Sequence, residues 1–177
     1  MVILSPIKLL ILDVDGVLTS GELPYDSQGN VTKVFHVQDG GAIRLWQRAG
    51  GQVAIISGRE SPAVSARAAE LDVTLLAQGV RDKLPVFDSF CEKAGVTPRE
   101  AAFVGDDLLD IAPMRKCGYP VAVANAIPLV KRAAVYITRR PGGAGAVAES
   151  VERLLRHNGE WSRIANRWAA GQESAKG

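Results

Sequence analysis

Six short apolar runs alternate with stretches of helical spacing along this chain, and that alternation constrains the fold more than any other feature. Each run is rich in Val, Ile, Leu or Ala and is continuous rather than alternating with polar residues: KLLILD, GQVAIIS, VTLLAQ, AAFVGD, PVAVAN and AVYIT. Continuous apolar strands are typical of a parallel sheet that is covered on both faces, and parallel strands need crossover connections. The sequence therefore predicts an α/β fold with a doubly wound, mainly parallel sheet.

The stretches between these runs predict helices, with one exception. Helical spacing covers residues 39–49, 61–71, 82–94, 108–116, 127–133 and 145–156. Residues 21–37 instead form two strand-like runs around DSQGN, so we expect a β-hairpin that projects just beyond the first strand. Its apolar residues Leu23, Tyr25, Val34 and Phe35 favour an oligomer contact, with a solvated flap as the alternative.

Length and composition indicate one globular domain of ordinary size. The 177 residues, 47% of them hydrophobic, fit one domain over residues 1–170, followed by a small polar end at 171–177 that we expect to be disordered. A formal net charge of +2 is too small to favour nucleic acid, and the apolar start is too short for a membrane span. Cys91 and Cys117 have no metal or redox spacing, which fits a reducing, cytoplasmic location.

Polar side chains gather where the predicted strands end, which is where open α/β sheets carry their sites. They are Asp13 and Asp15 after the first strand, Ser57 and Gly58 after the second, Lys83 at the start of a helix, and Asp106 and Asp107 after AAFVG. Asp13 and Asp15 point to the same side if the strand continues, so they repel each other unless a cation or a proton lies between them. The cluster therefore predicts a positively charged partner.

These residue types match what phosphoryl transfer requires. Asp13 is predicted to be the nucleophile that forms an aspartyl-phosphate, and Asp15 the acid that protonates the leaving alkoxide and then acts as a base on water. Mg²⁺ would be held by the side chains of Asp13 and Asp106 and by the Asp15 carbonyl. Lys83 adds a positive charge, and Ser57 with local backbone N–H groups binds a phosphate oxygen.

A second group of residues is predicted to contact the substrate. They are Gly40, Gly41, Gly58, Arg59 and Arg67. Arg59 suits bidentate binding of a substrate carboxylate, and a surface ion pair is the alternative for both arginines. The two helix-opening glycines offer free N–H groups to an anion, although Asp39 before them is equally suited to capping its own helix.

Further charged residues flank these positions. Asp107 and Asp110 follow Asp106 and are predicted to orient the waters bound to the metal, with a cap or a solvent-facing position as the alternative for Asp110. Arg139 and Arg140 precede the glycine-rich PGGAG loop, and their roles are left open between ligand contact and a plain loop.

At these positions the chain resembles the haloacid dehalogenase superfamily of phosphatases. The four matching motifs are DVDGVLT, the serine of IISGR, the lysine of RDK, and GDDLLD. More narrowly, FHVQDGGAIRLW, VAIISGRESPAVSARAAEL, QGVRDKL and TRRPGGAGAVAE resemble the small capless phosphatases that act on 3-deoxy-D-manno-octulosonate 8-phosphate, a sugar phosphate of lipopolysaccharide biosynthesis. The resemblance runs from Lys8 to about Leu155.

That resemblance implies a Rossmann-like sheet of the haloacid dehalogenase type without a cap domain. It also implies Asp13 as nucleophile, Asp15 as acid and base, Asp106 as metal ligand, and a homotetramer in which the hairpins pack together and a neighbour completes the site. Spacing supports the missing cap independently, because only a hairpin and a helix fit between Asp15 and Ser57. A neighbouring subunit is then the natural substitute for a lid.

Two other functions stay open at this point. Phosphatases for a nine-carbon keto-sugar acid 9-phosphate are similar to this chain but tend to carry another residue where Arg59 stands. A receiver-type phosphorylation module has the same sheet, clustered acids and Mg²⁺, but it needs no acid two residues after its phosphoacceptor, where this chain has Asp15.

Overall fold

A six-stranded parallel sheet forms the centre of the protein, as the sequence predicts. The structure, a computed structural model, describes residues 5–171. The strands are β1 (Leu9–Leu12), β2 (Gln52–Ile56), β3 (Leu75–Ala77), β4 (Ala101–Gly105), β5 (Tyr119–Ala122) and β6 (Tyr136–Ile137). They lie in the order β3-β2-β1-β4-β5-β6, and all pairs are parallel. The predicted doubly wound α/β fold is confirmed.

Helices flank this sheet. Within the described residues they are α1 (Val37–Arg48), α2 (Pro62–Glu70), α3 (Lys83–Ala94), α4 (Ile111–Lys116), α5 (Pro128–Ala133), α6 (Ala146–His157) and α7 (Trp161–Ala169). The chain runs outward from β1 to β3 and then crosses to β4 on the other side of β1. Crossovers between parallel strands are right-handed, so reversing the direction of the strand order places helices on both faces of the sheet. Helix α1 packs against α6, and α3 packs against α4.

The two central strands place the ends of three strands at one edge. All four residues of β1 and all five of β4 are buried, which is why both read as continuous apolar runs. Leu12 at the end of β1 is in register with Ile55 of β2 and Val104 of β4. Side chains that follow these three strands therefore emerge close together.

The helix predicted over residues 108–116 is divided in two. A 3-10 helix covers Leu108–Asp110, and α4 begins only at Ile111. The Asp110 carboxylate turns back to accept hydrogen bonds from the backbone N–H groups of Asp106 and Asp107, at 2.9 and 3.1 Å. These side-chain hydrogen bonds hold the turn before α4. A 3-10 turn at the start of an α-helix is common.

The predicted β-hairpin is present in a short form. Residues 21–36, which we call the flap, contain one antiparallel bridge, between Tyr25 and Val31. The Asp26 carboxylate closes the turn by accepting hydrogen bonds from the backbone N–H groups of Gln28 and Asn30, both at 2.8 Å. No longer ladder is found in this part of the described chain, because an isolated two-stranded ribbon has too little apolar surface to bury.

The remaining expectations concern cysteines, membranes and the chain end. Cys91 and Cys117 are buried and unpaired, and burial raises the pKa of their thiols to about 11 and about 12. None of the helices in residues 5–171 is long and apolar enough to cross a bilayer. The predicted single domain over 1–170 stays a prediction, and the predicted tail lies, apart from Gly171, outside the described residues.

Candidate active site

A buried lysine joins two carboxylates at the carboxyl edge of the sheet. The Lys83 ammonium lies 2.5 Å from Oδ1 of Asp13 and 2.7 Å from Oδ1 of Asp110, and all three side chains are buried. Asp13 directly follows β1, and Lys83 is the first residue of α3, whose start is capped by the exposed Asp82. Burial of so many charges is tolerated only because they are paired. Lys83 therefore acts as the fixed cation predicted beside Asp13.

A third carboxylate, that of Asp106, completes the cluster. One carboxylate oxygen each from Asp13, Asp106 and Asp110 lies within 4.8 Å of the others. Oδ1 of Asp106 is buried and has no hydrogen-bond partner within the described chain. Three carboxylates against one ammonium leave an excess of negative charge and an unpartnered oxygen, which is the donor set that suits a divalent cation such as Mg²⁺.

The pKa values of this cluster reflect the same excess of negative charge. Burial, followed by the nearby Asp110 carboxylate, raises the pKa of Asp13, and the Lys83 ammonium offsets part of that rise. Burial, followed by the neighbouring Asp13 and Asp110 carboxylates, raises the pKa of Asp106 to about 8. A cation bound here would remove the repulsion that favours the protonated forms.

A glycine allows the turn after β1 to approach Asp106 closely. Gly16 has φ +93°, and a Cβ atom at this position would lie 2.0 Å from Oδ2 of Asp106. Gly105 likewise leaves room for Asp110, because a Cβ atom on Gly105 would lie 2.5 Å from the Cβ atom of Asp110. The acidic cluster thus depends on two positions without side chains.

Asp15 does not join the acidic cluster through its side chain. Its carboxylate faces the flap and forms an ion pair with the ammonium of Lys33. The side-chain position is therefore compatible with the predicted acid and base role, while metal binding through the Asp15 carbonyl stays a prediction.

Ser57, Gly58 and Arg59 follow β2, as predicted. The buried Ser57 hydroxyl accepts a hydrogen bond of 3.2 Å from the Arg59 backbone N–H and so holds its own turn. Gly58 packs against Leu109, since a Cβ atom added to Gly58 would lie 3.4 Å from Cδ1 of Leu109. The Arg59 side chain is exposed. Their predicted contacts with phosphate and substrate stay predictions.

Arg67 and the two glycines of α1 occupy different surroundings. The Arg67 guanidinium lies 2.9 Å from Glu70 and 5.7 Å from the centre of the Phe35 ring, and it fills the space where Gly40 lacks a side chain. Gly41 instead lines a groove beside α6 and α7. The ion pair that was the alternative for Arg67 is therefore present, and substrate contact by these residues stays a prediction.

Two aspartates cap helix starts, while the predicted role of Asp107 in orienting metal-bound waters stays a prediction. Asp107 is exposed, and its carboxylate accepts a hydrogen bond of 2.7 Å from the Leu108 N–H. Asp39 does not cap its own helix, because α1 begins before it at Val37; its carboxylate accepts hydrogen bonds from Ala148 at 2.8 Å and Gly145 at 3.3 Å. Asp39 thus caps the start of α6.

The glycine-rich loop after Arg139 supports the turn that follows β1. The Asn125 amide donates to the Gly16 carbonyl at 3.0 Å and accepts from the Gly142 N–H at 2.7 Å. A Cβ atom on Gly142 would lie 1.8 Å from the Gly16 oxygen. The backbone of this loop therefore packs on the turn that follows β1.

The two arginines before this loop have their own contacts. The backbone N–H groups of Arg139 and Arg140 donate to Glu149, and the Arg140 guanidinium donates to Gln38 at 2.8 Å. These contacts tie the loop to α6 and α1.

Sequence reasoning missed Lys33 and Asn125. Lys33 is the one charged residue in the strand-like run VTKVFHV, residues 31–37, which is a weak signal that its charge has a specific partner. Asn125 depends on a contact between residues far apart in sequence, so no local pattern marks it.

A groove of about 890 Å³ lies apart from the acidic cluster. It lies between α1, α6 and α7, and its lining includes Trp161, Ile164 and Trp168. Lys83 and the three clustered aspartates do not line this groove. The candidate active site is therefore identified by its charged cluster and not by a cavity.

Comparisons with known proteins agree with this geometry. A family model for haloacid dehalogenase-like hydrolases matches residues 81–150. The 3-deoxy-D-manno-octulosonate 8-phosphate phosphatase of Escherichia coli K12 is 46% identical over 87% of this chain and 82% of its own, and that of Haemophilus influenzae is 40% identical over 90% and 88%.

Solved structures give the same result. A crystal structure of 3-deoxy-D-manno-octulosonate 8-phosphate phosphatase from Moraxella catarrhalis, in complex with magnesium, phosphate and KDO, superposes with a TM-score of 0.88. It is 36% identical to this chain and the match covers 92% of this chain and 93% of that one.

Proposed function

This chain belongs to the 3-deoxy-D-manno-octulosonate 8-phosphate phosphatases of the haloacid dehalogenase-like hydrolases, and from the strand-end cluster we propose how its residues divide the work. It is a Mg²⁺-dependent phosphomonoesterase that hydrolyses the eight-carbon sugar phosphate to the free sugar acid and phosphate, a step of lipopolysaccharide biosynthesis. The observation that supports the mechanism best is the unpartnered Asp106 oxygen beside the Asp13–Lys83–Asp110 cluster.

In the first half-reaction Asp13 attacks phosphorus. A bond forms between a carboxylate oxygen of Asp13 and phosphorus while the bond from phosphorus to the sugar oxygen breaks, and the sugar oxygen takes a proton from Asp15. Lys83 holds Oδ1 of Asp13, which leaves its other oxygen for the attack. Asp15 is then a carboxylate that is ready to accept a proton.

In the second half-reaction water releases the phosphate. The water oxygen bonds to phosphorus, the bond from phosphorus to Asp13 breaks, and the water proton goes to Asp15, which restores the enzyme. When bound by Asp13, Asp106 and the Asp15 carbonyl, Mg²⁺ supplies positive charge for the phosphoryl oxygens and for the crowded carboxylates. Ser57 and nearby backbone N–H groups bind a phosphoryl oxygen, and Asp110 positions Asp106 through the backbone.

A phosphate-release assay tests this function. We expect phosphate release from 3-deoxy-D-manno-octulosonate 8-phosphate only with Mg²⁺, faster than from a nine-carbon keto-sugar acid 9-phosphate, and none from the Asp13→Asn variant with an unchanged circular dichroism spectrum. A preference for the nine-carbon compound would contradict the substrate assignment. A single phosphorylation without turnover would instead indicate a receiver-type module.

We also propose that the enzyme is a cytoplasmic homotetramer in which the flaps pack together and a neighbour completes the site. Support comes from three apolar side chains in and beside the flap that are largely exposed, Tyr25 at 62%, Val34 at 72% and Val37 at 81%. Light scattering is expected to show a tetramer that Val34→Glu dissociates and Val135→Glu, at a 65% exposed position outside the flap, does not. A monomeric wild-type protein would contradict the proposal.

A further inference from the structure

The flap contributes one buried charge to the neighbourhood of the active site. The side chain of Lys33 is only 2% exposed, and its ammonium forms an ion pair with Oδ1 of Asp15, whose side chain is 21% exposed. Burial of an ammonium is unfavourable unless a partner compensates it, so this position is retained only if the pair forms. Within residues 5–171, Lys33 is the one side chain that holds the Asp15 carboxylate.

The backbone on both sides of Lys33 is anchored. Two residues before it, Val31 forms the bridge to Tyr25, and two residues after it, Phe35 packs against the core beneath the Arg67 guanidinium. In an extended segment, residues two apart point to the same side. The same alternation directs Val34 to solvent, where it is 72% exposed. The Lys33 side chain is thus directed inward by contacts at either end.

We propose that Lys33 is a positioning residue for Asp15. The ammonium fixes Oδ1 of Asp15, so the other oxygen, Oδ2, is the one that gives a proton to the leaving sugar oxygen and takes one from the attacking water. This inference rests on the proposed function, because it assigns a partner to the acid and base of that reaction. It also gives the flap a role within its own subunit, separate from assembly.

Leaving-group dependence separates positioning from a structural role. A sugar alkoxide needs a proton as it leaves, whereas p-nitrophenolate leaves readily without one. We expect Lys33→Met to lower kcat/KM for the sugar phosphate by about tenfold or more and kcat/KM for p-nitrophenyl phosphate by less than about threefold. Lys33→Arg retains the charge and is expected to recover most of the loss. Asp15→Asn serves as the reference for this selective pattern.

Two further measurements complete the test. The double variant Asp15→Asn/Lys33→Met is expected to be no slower on the sugar phosphate than Asp15→Asn alone, because coupled residues are not additive. Lys116→Met is the matched control, since it removes an exposed lysine that pairs with Asp88 at 2.6 Å. Should Lys33→Met lose its cooperative melting transition, Lys33→Gln decides by the same criteria.

Equal losses on both substrates, or additive losses in the double variant, would overturn the inference and make Lys33 a substrate contact or a flap anchor. An unchanged Lys33→Met enzyme would overturn it as well. Failure of the wild-type enzyme to hydrolyse sugar phosphates would instead overturn the proposed function, so the two failures are distinguishable.

Discussion

Gly16 sets the distance between the turn after β1 and the acidic cluster. Its φ of +93° lies in the region that favours glycine, and the space next to its Cα is filled by the Asp106 carboxylate. Close contact between these two groups is what brings Asp106 within reach of Asp13. The glycine of the DVDG motif is thus essential for the geometry of the acidic cluster.

We predict that Gly16→Ala displaces Asp106 and weakens the response to Mg²⁺. A Cβ atom 2.0 Å from Oδ2 of Asp106 forces that carboxylate to move. Because a misplacement of about 1 Å in an active site lowers rates by as much as about 100-fold, kcat/KM is expected to fall by about 10- to 100-fold. The Mg²⁺ concentration for half-maximal activity is expected to rise, measured by titrating the metal in the phosphate-release assay.

The control for backbone strain is Gly95→Ala. Gly95 has φ +67° at the end of α3, with no atom within 4 Å of an added Cβ. This variant is expected to lose about 1 kcal/mol of stability and to keep its metal response. A Gly16→Ala enzyme with the same metal response as Gly95→Ala would contradict the assigned role.

At the scale of elements, the start of α6 depends on a residue from α1. The buried Asp39 carboxylate accepts hydrogen bonds from two backbone N–H groups at the start of α6, which also packs along α1. Unpaired N–H groups at a buried helix start are unfavourable. Asp39 therefore joins two distant elements of the chain.

We predict that Asp39→Ala lowers the free energy of unfolding by about 1–2 kcal/mol, because the cap is lost and its donors stay buried. Urea denaturation followed by circular dichroism measures the change. Asp88→Ala, which removes an exposed partner of Lys116, is the control and is expected to change stability by less than about 0.5 kcal/mol. Equal effects of the two variants would contradict the capping role.

Local patterns predicted the strands and the aspartates that cluster at the strand ends, but they did not predict contacts between residues far apart in sequence. Asp13 and Asp106 could be predicted because a parallel sheet brings the ends of its strands together whatever the intervening chain does. The link from Asp39 to α6 and the pairing of Lys33 with Asp15 join residues that only tertiary packing brings together. The hairpin predicted over residues 21–37 is present with a single antiparallel bridge, because its two runs have too little apolar surface to support a longer ladder.

For the whole molecule, stability and metal binding are coupled through the acidic cluster. Burial and neighbouring carboxylates raise the pKa of Asp13, and they raise that of Asp106 to about 8. The folded metal-free protein therefore holds more protons than the unfolded chain above the ordinary pKa of aspartate. This contribution to stability is complete below that ordinary value and is lost as pH rises through the folded pKa values.

We predict that the melting temperature of the metal-free protein falls between about pH 6 and about pH 8.5, and that Mg²⁺ suppresses most of this fall. Differential scanning calorimetry with a chelator or with Mg²⁺ measures both. Asp106→Asn removes the group with the raised pKa and is expected to show a smaller fall. An identical pH dependence with and without Mg²⁺ would show that the cluster does not bind the metal.

The proposed reaction requires the Asp13 carboxylate, at the end of β1, to accept the phosphoryl group. Rapid quenching during turnover, reduction with borohydride and peptide mass spectrometry test it directly, because an acyl phosphate is reduced to an alcohol while a free carboxylate is not. We expect Mg²⁺-dependent reduction at Asp13 alone, and none in Asp13→Asn. Reduction at another residue, or steady turnover by Asp13→Asn, would contradict it.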